Sequence, residues 1–90
     1  MEKALWYLLA GTRGGENRAR IIRCLLDRPR NPNQLATDLD LDYNTVTHHL
    51  DTLEDHGVVE SSGDEYGAVY VVTDRFDHNR DTFEEITEHL

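Results

Sequence analysis

The stretch NPNQLATDLDLDYNTVTHHLDTLEDHGVV, Asn31 to Val59, decides how this chain folds. Asn31-Pro32 opens a short helix, because asparagine is a good N-cap and proline is tolerated at the first helical position. Leu35, Ala36 and Leu39 form the buried stripe of that helix. Asp40-Leu41-Asp42 reads as a three-residue turn, and Asp42 is placed to cap a second helix running from Tyr43 to His56. Val46, His49, Leu50 and Leu53 fall within ~100° of one another around that helix, which makes one buried face. Gly57 stands one position beyond it, where a left-handed conformation closes a helix.

Working outward, the apolar period becomes strand-like after Gly57. Val58 to Ser61 and Ala68 to Thr73 read as two strands joined by Ser62-Gly63-Asp64-Glu65-Tyr66-Gly67, a hairpin with a tip of six residues. Asp74 to Leu90 returns to a helical pattern, with Phe76, Phe83 and Leu90 seven apart and Ile86 between the last two. This stripe is narrow, which suits packing against a partner helix. On the other side, Glu16 to Asp27 is helical, its apolar positions Ala19, Ile21, Ile22, Leu25 and Leu26 following the helical period, and Pro29 ends it. Arg18, Arg20 and Arg23 are expected on the remaining arc. Gly11-Thr12-Arg13-Gly14-Gly15 breaks it from an earlier helix, Glu2 to Ala10, whose Leu5, Leu8 and Leu9 share one side with Trp6 and Tyr7 beside them.

The resulting order is helix, helix, helix, turn, helix, hairpin, helix. Two short helices joined by a tight turn and followed at once by a hairpin make a winged helix-turn-helix. The expected fold is therefore mainly α with a small β-hairpin, N- and C-terminal helices flanking the core. The whole of residues 1–90 is expected to form one domain, with 1–14 an N-terminal helix and turn, 15–73 the winged-helix core and 74–90 a C-terminal helix. A chain of this size has too little apolar surface for two cores.

The composition narrows the function. Of 90 residues 18 are acidic and 9 basic, for a formal charge of −9, and the basic set is eight arginines with one lysine. Abundant carboxylates and scarce lysine suit a salt-rich cytoplasm. The charge is uneven: residues 1–30 hold seven basic and three acidic side chains, residues 31–90 two basic and fifteen acidic, so a polyanion is drawn to the first third. The longest apolar run, Ala4 to Ala10, is far short of the ~18–20 residues that span a bilayer, and nothing resembles a secretory leader. Cys24 is the single cysteine, so no intrachain disulfide forms and a reduced, cytoplasmic setting is expected. No nucleophile–base spacing or phosphate-cradling glycine motif is present; Gly11 to Gly15 lacks the Lys-Ser/Thr of a P-loop. No enzymatic activity, metal or cofactor is expected.

With Val46 to Leu53 buried, Asn44, His48, Asp51 and Asp55 face outward and Thr45 and Thr47 lie on the flanks. The N-terminal half of such a helix enters the major groove of duplex DNA. Tyr43, Asn44, Thr45, Thr47 and His48 are then the contact candidates: asparagine bridges the N6/N7 edge of adenine, and the threonine methyl meets the thymine methyl. Gln34, at the start of the preceding helix, and Arg30, just before it, are phosphate candidates. Arg13, Arg18 and Arg20 either touch the DNA backbone or pair with the acid excess. Tyr66, at the hairpin tip, lies in the minor groove or packs on the hairpin. His49, on the buried side, is expected to be a packed core histidine, and Cys24 a small core side chain. Leu5, Trp6, Leu9, Phe76, Phe83, Ile86 and Leu90 are assigned to a homodimer seam built by the first and last helices.

The segment from Asn33 to Asp74, NQLATDLDLDYNTVTHHLDTLEDHGVVESSGDEYGAVYVVTD, resembles the archaeal ArsR-like winged helix-turn-helix transcriptional regulators. The most specific part is TVTHHLDTLEDHGVV, Thr45 to Val59, which is similar to their recognition helix and first wing strand. AGTRGGENRARII, Ala10 to Ile22, resembles the entry to their first main helix, and with the acid excess the likeness is of a haloarchaeal type. It implies a homodimer that binds double-stranded DNA and responds to a signal. Metal-sensing members carry a cysteine pair on the recognition helix or a carboxylate–histidine set on the last helix. The cysteine pair is absent here, and His78 and His89 echo the second set without its aspartate, since Phe76 stands two residues before His78. The hairpin tip, with Asp64 and Glu65, is acidic where DNA-binding wings are usually basic. That acidity favours a rival reading, a winged helix that contacts proteins and not DNA.

Overall fold

A computed structural model of the chain describes residues 1–63 and 68–90. Its helices are α1 (Glu2–Ala10), α2 (Gly15–Asp27), α3 (Pro32–Leu39), α4 (Tyr43–Asp55), α5 (Asp74–Asp77) and α6 (Arg80–Thr87), and its strands are β1 (Val59–Ser62) and β2 (Val69–Val72). The two strands form an antiparallel hairpin in which Val59 faces Val72 and Ser62 faces Val69. This is a winged helix-turn-helix: α3 and α4 are the two helices of the motif, and the hairpin is the wing. The expected hairpin tip, with Asp64, Glu65 and Tyr66, lies outside the described residues. Among the described residues no helix is long and apolar enough to cross a membrane.

The local signals act as the sequence requires. Asn31 and Gln34 form a reciprocal capping box at the start of α3: the Asn31 side chain accepts from the Gln34 backbone N–H and the Gln34 side chain accepts from that of Asn31, each at 2.8 Å. Asp40 ends α3 in the left-handed region, φ 54°, where a short polar side chain is tolerated. Asp42 then accepts from the Asn44 and Thr45 backbone N–H groups and starts α4. Gly57, at φ 75°, turns the chain from α4 into β1.

One apolar cluster holds these elements together, and it draws on the first and last helices as fully as on the middle. Leu5, Leu8 and Leu9 of α1, Ile21, Ile22 and Leu25 of α2, Leu35, Val46, Leu50 and Leu53 of the motif, and Phe76, Phe83 and Ile86 are all buried within it. Here the seam assignment needs correction. Leu5, Phe76, Phe83 and Ile86 have no exposed surface and Leu9 only 1%. They cannot meet a second copy, because α1 packs between α2 and α6 of its own chain. The Phe76 and Phe83 rings meet edge to face at 5.4 Å, and the Arg23 guanidinium covers the Phe83 ring at 5.0 Å while pairing with Glu84. Of the seven residues, Trp6 is partly buried and Leu90 is exposed. The single C-terminal helix is also revised: Asn79 separates α5 from α6, and the Asn79 side chain donates to the Arg75 carbonyl. Phe76 and Phe83, seven residues apart, both face the core across the break.

Arg30 is the second correction. Its residue is 8% exposed, so it is not a phosphate contact. The guanidinium donates to the Cys24 carbonyl and pairs with Asp27 at 3.1 Å. Its Nε stands 3.0 Å from Asp38, an ion pair too bent for a good hydrogen bond. The Arg30 backbone meanwhile pairs with Tyr70 on the free edge of β2, donating at 3.3 Å and accepting at 2.8 Å, which adds a third rung of strand to the hairpin. Arg30→Ala is expected to cost about 2 kcal/mol by removing the ion pairs to Asp27 and Asp38 and one of the two donors to the Cys24 carbonyl, which keeps the Arg28 N–H. Urea denaturation gives the loss, and faster amide exchange at Tyr70 locates it.

Candidate nucleic-acid interface

The exposed surface of α4 divides in two. Its N-terminal half presents Tyr43, Asn44 and His48 to solvent, with Thr45 and Thr47 partly covered on the flanks. The opposite side is fixed by Val46, His49, Leu50 and Leu53, all buried. Tyr43, at 48% exposed, is one of the few large apolar groups left at the surface. Thr47 donates to the Asn44 carbonyl at 3.1 Å, which engages its hydroxyl within the helix. The C-terminal half carries Asp51, Glu54 and Asp55, all exposed. Their field reaches the wing: the Tyr70 phenol is held above its ordinary range first by burial, then by Glu54 and Asp51.

At the two helix starts of the motif, part of the backbone donor set is taken by the caps. The Gln34 N–H is taken by Asn31, and those of Asn44 and Thr45 by Asp42. Gln34 remains a candidate through its side-chain amide NH₂, since only its oxygen is engaged within the capping box. The contact set the sequence singled out on α4 is thus gathered on one open surface, Gln34 is exposed on the neighbouring helix, Arg30 is withdrawn into the core, and Tyr66 lies outside the described residues.

Four of the eight arginines, Arg18, Arg20, Arg23 and Arg30, are engaged within the chain. Arg20 donates to Asn17 at 3.0 Å and to the Leu39 carbonyl at 2.8 Å, steadying the last turn of α3 beside the motif's turn. Arg23 is held by Glu84 and Thr87. Arg18, expected on the outer arc, is 5% exposed. Its guanidinium donates to the Leu8 carbonyl at 2.8 Å, the Arg13 carbonyl at 3.1 Å and the Thr12 hydroxyl, and stands 3.2 Å from His49 Nδ1. Spacing could have found it, because Arg18, Ile22 and Leu25 lie at i, i+4 and i+7, the stripe that faces inward. Cys24 is partly buried against the core, and His78 and His89 are exposed. Among the described residues no three His, Cys, Asp or Glu side chains gather as a metal site.

Burial holds His49 below the ordinary histidine range, with the Arg18 charge and then His48 adding to the effect. The unfolded chain therefore takes up a proton more readily at this position than the folded one. Stability contributed by neutral His49 is complete above about pH 6.5, the unfolded value, and is lost as pH falls below it toward the folded value. Thermal melts between pH 8 and 5 are expected to show that decline, and His49→Asn, which keeps an acceptor without a titrating ring, to flatten it.

Comparison with known proteins agrees with this architecture. The chain belongs to the helix-turn-helix domain family, whose model matches residues 16–62. A sequence search of curated proteins finds no match. Among solved structures, the transcriptional regulator BldR from Sulfolobus solfataricus superposes with a TM-score of 0.75 at 18% identity, over 97% of this chain and 66% of BldR. The reduced form of the transcriptional regulator YodB from B. subtilis gives 0.75 at 22% identity, over 98% of this chain and 85% of that one. Lactococcus lactis ZitR, solved in complex with DNA, gives 0.69 at 16% identity, over 91% of this chain and 58% of ZitR. The chain thus spans about two thirds of BldR and less of ZitR.

Proposed function

We infer that the chain is a DNA-binding transcriptional regulator of the cytoplasm, acting as a homodimer with α4 in the major groove of double-stranded DNA. The observation that carries this reading is the open N-terminal half of α4, where Tyr43, Asn44 and His48 stand exposed on a helix whose other side is locked in the core. The helix-turn-helix family match and the likeness to regulators, one of them bound to DNA, support it. In this arrangement Asn44 reads a base edge, the Thr47 methyl meets thymine, and His48 and Gln34 donate to the duplex. Self-association uses the apolar surface the core leaves over, namely Trp6, Tyr7 at 58% exposed and Leu90 at 54% exposed. Two copies then set their α4 helices one helical turn apart, ~34 Å, on an inverted repeat. Sedimentation that finds only monomer at micromolar concentration overturns the dimer.

Half of the arginines are spent inside the chain and the net charge is −9, so affinity rests on hydrogen bonds and shape, and the resemblance to haloarchaeal ArsR-like regulators fits such a surface. At ~1 M salt the screening length is only ~3 Å, and the carboxylates of α4 barely repel a duplex. Selection of duplexes from a random pool in about 2 M KCl is expected to return one inverted repeat. Asn44→Ala is expected to weaken its binding about 10- to 100-fold and to relax specificity at one base. Affinity for that repeat is expected to change little between about 0.2 and 3 M KCl; an ordinary steep loss refutes the salt-tolerant mode. The exposed acids Asp51, Glu54 and Asp55 favour a second reading, a contact with a basic protein, and failure to select any duplex turns the assignment to it.

A further inference from the structure

Arg18 is a buried cation with no counter-ion: among the described residues it takes part in no ion pair. Its charge is met by neutral oxygens that belong to the end of α1 and the turn after it, Leu8, Thr12 and Arg13. The last carbonyls of a helix carry partial negative charge, so this is a favourable place for a guanidinium. A fourth donor is spent on α4. Because arginine only donates, the 3.2 Å contact makes His49 Nδ1 the acceptor and places the ring proton on Nε2. The ring packs close over Gly14, which sits at φ 85°: a Cβ there would lie 2.7 Å from His49 Cε1. His49 is one residue from His48, whose ring is 5.9 Å away on the exposed surface of α4.

We propose that Arg18 and His49 are a positioning pair that ties the α1–α2 turn to the recognition helix, and that a proton on His49 releases it. A protonated Nδ1 donates and no longer accepts, so the Arg18 bond is lost and two cations confront each other inside the protein. The charged and titratable groups around the pair are Arg18 from α2, Tyr7 from α1 acting on Arg18, and His48 on α4 itself. Burial depresses the proton affinity of both Arg18 and His49, in keeping with a neutral ring and a charged guanidinium near neutrality. Release loosens the turn at one end and, through the helical backbone, the orientation of His48 and Asn44 at the other. Acid therefore weakens DNA binding through this pair, although a proton on exposed His48 alone strengthens attraction to phosphate. The proposal rests on the DNA-binding reading for its outcome and not for its geometry.

The test is a titration of the wild-type chain and His49→Asn, followed by amide NMR and by affinity for the duplex selected by the wild type. Asparagine Oδ1 replaces Nδ1 as an acceptor that does not ionise. In the wild type, the Thr12, Arg13 and Gly14 amides are expected to shift with the same midpoint as the His49 ring, and in His49→Asn to stay flat. The wild type is expected to lose about tenfold in affinity relative to His49→Asn between pH 7.5 and 5.5, His48 being common to both. Turn amides that ignore the His49 titration, or parallel affinity profiles in the two proteins, overturn the pair. If neither protein binds any duplex, the DNA-binding reading falls and the amide titration alone upholds or overturns the pair; it needs only the wild type, so a variant that folds poorly does not obscure it.

Discussion

Phe83→Ala is expected to remove about 3–5 kcal/mol of folding stability while leaving the association state of the folded protein unchanged. Phe83 has no exposed surface; its ring lies edge to face on Phe76 and under the Arg23 guanidinium. Truncation opens a cavity at the junction of α1, α2 and α6 and strips Arg23 of the surface it covers. Urea denaturation measures the loss, and sedimentation of the variant at a temperature where it remains folded measures association. A variant of wild-type stability that turned monomeric would restore Phe83 to the subunit seam. The converse change, at Tyr7 or Leu90, is expected to alter self-association with little effect on the core, because both side chains are more than half exposed.

Gly15→Ala is expected to be as damaging despite adding a single methyl. The helical position itself accepts alanine, and in isolation the change would favour α2. The obstacle is the end of α1: a Cβ at residue 15 would stand 2.1 Å from the Leu9 carbonyl oxygen and 2.6 Å from its carbon. Those are backbone atoms, which cannot swing away as a side chain does. The two helices must separate, drawing Leu5, Leu8 and Leu9 out of register with the core and lengthening the Arg18 bond to the Leu8 carbonyl. A loss on the order of 3 kcal/mol or more is expected in chemical denaturation, with amide protection falling first along α1. Unchanged stability would mean that α1 is not seated against α2 in this way.

The middle of the chain was legible because each of its signals acts over a few residues. Asn31 caps α3 with Gln34, Asp42 caps α4, Gly57 closes it, and the Val46–Leu53 stripe has one place to go. What the sequence left ambiguous were choices that depend on a distant neighbour. The narrow stripe of Phe76, Phe83 and Ile86 reads the same whether it meets α1 of its own chain or a helix of another copy. Asn79, which breaks the last helix, carries no strong stop signal, so the division into α5 and α6 was not legible. Arg18 and Arg30 were read as outward charges because arginine usually is; their burial depends on carbonyls of Leu8, Arg13 and Cys24 that only the fold brings near. On the candidate interface, the uncharged composition from Tyr43 to His48 and the caps Asn31 and Asp42 were readable, but not which helix-start donors those caps occupy.

The rung between Arg30 and Tyr70 has a mechanical meaning. It joins β2 to the backbone entering α3, while the Arg30 side chain pairs with Asp38 in that helix. Wing and α3 are therefore coupled twice over, so that a push on the hairpin, whether from a groove or from a second protein, is passed to α3 through backbone and side chain together.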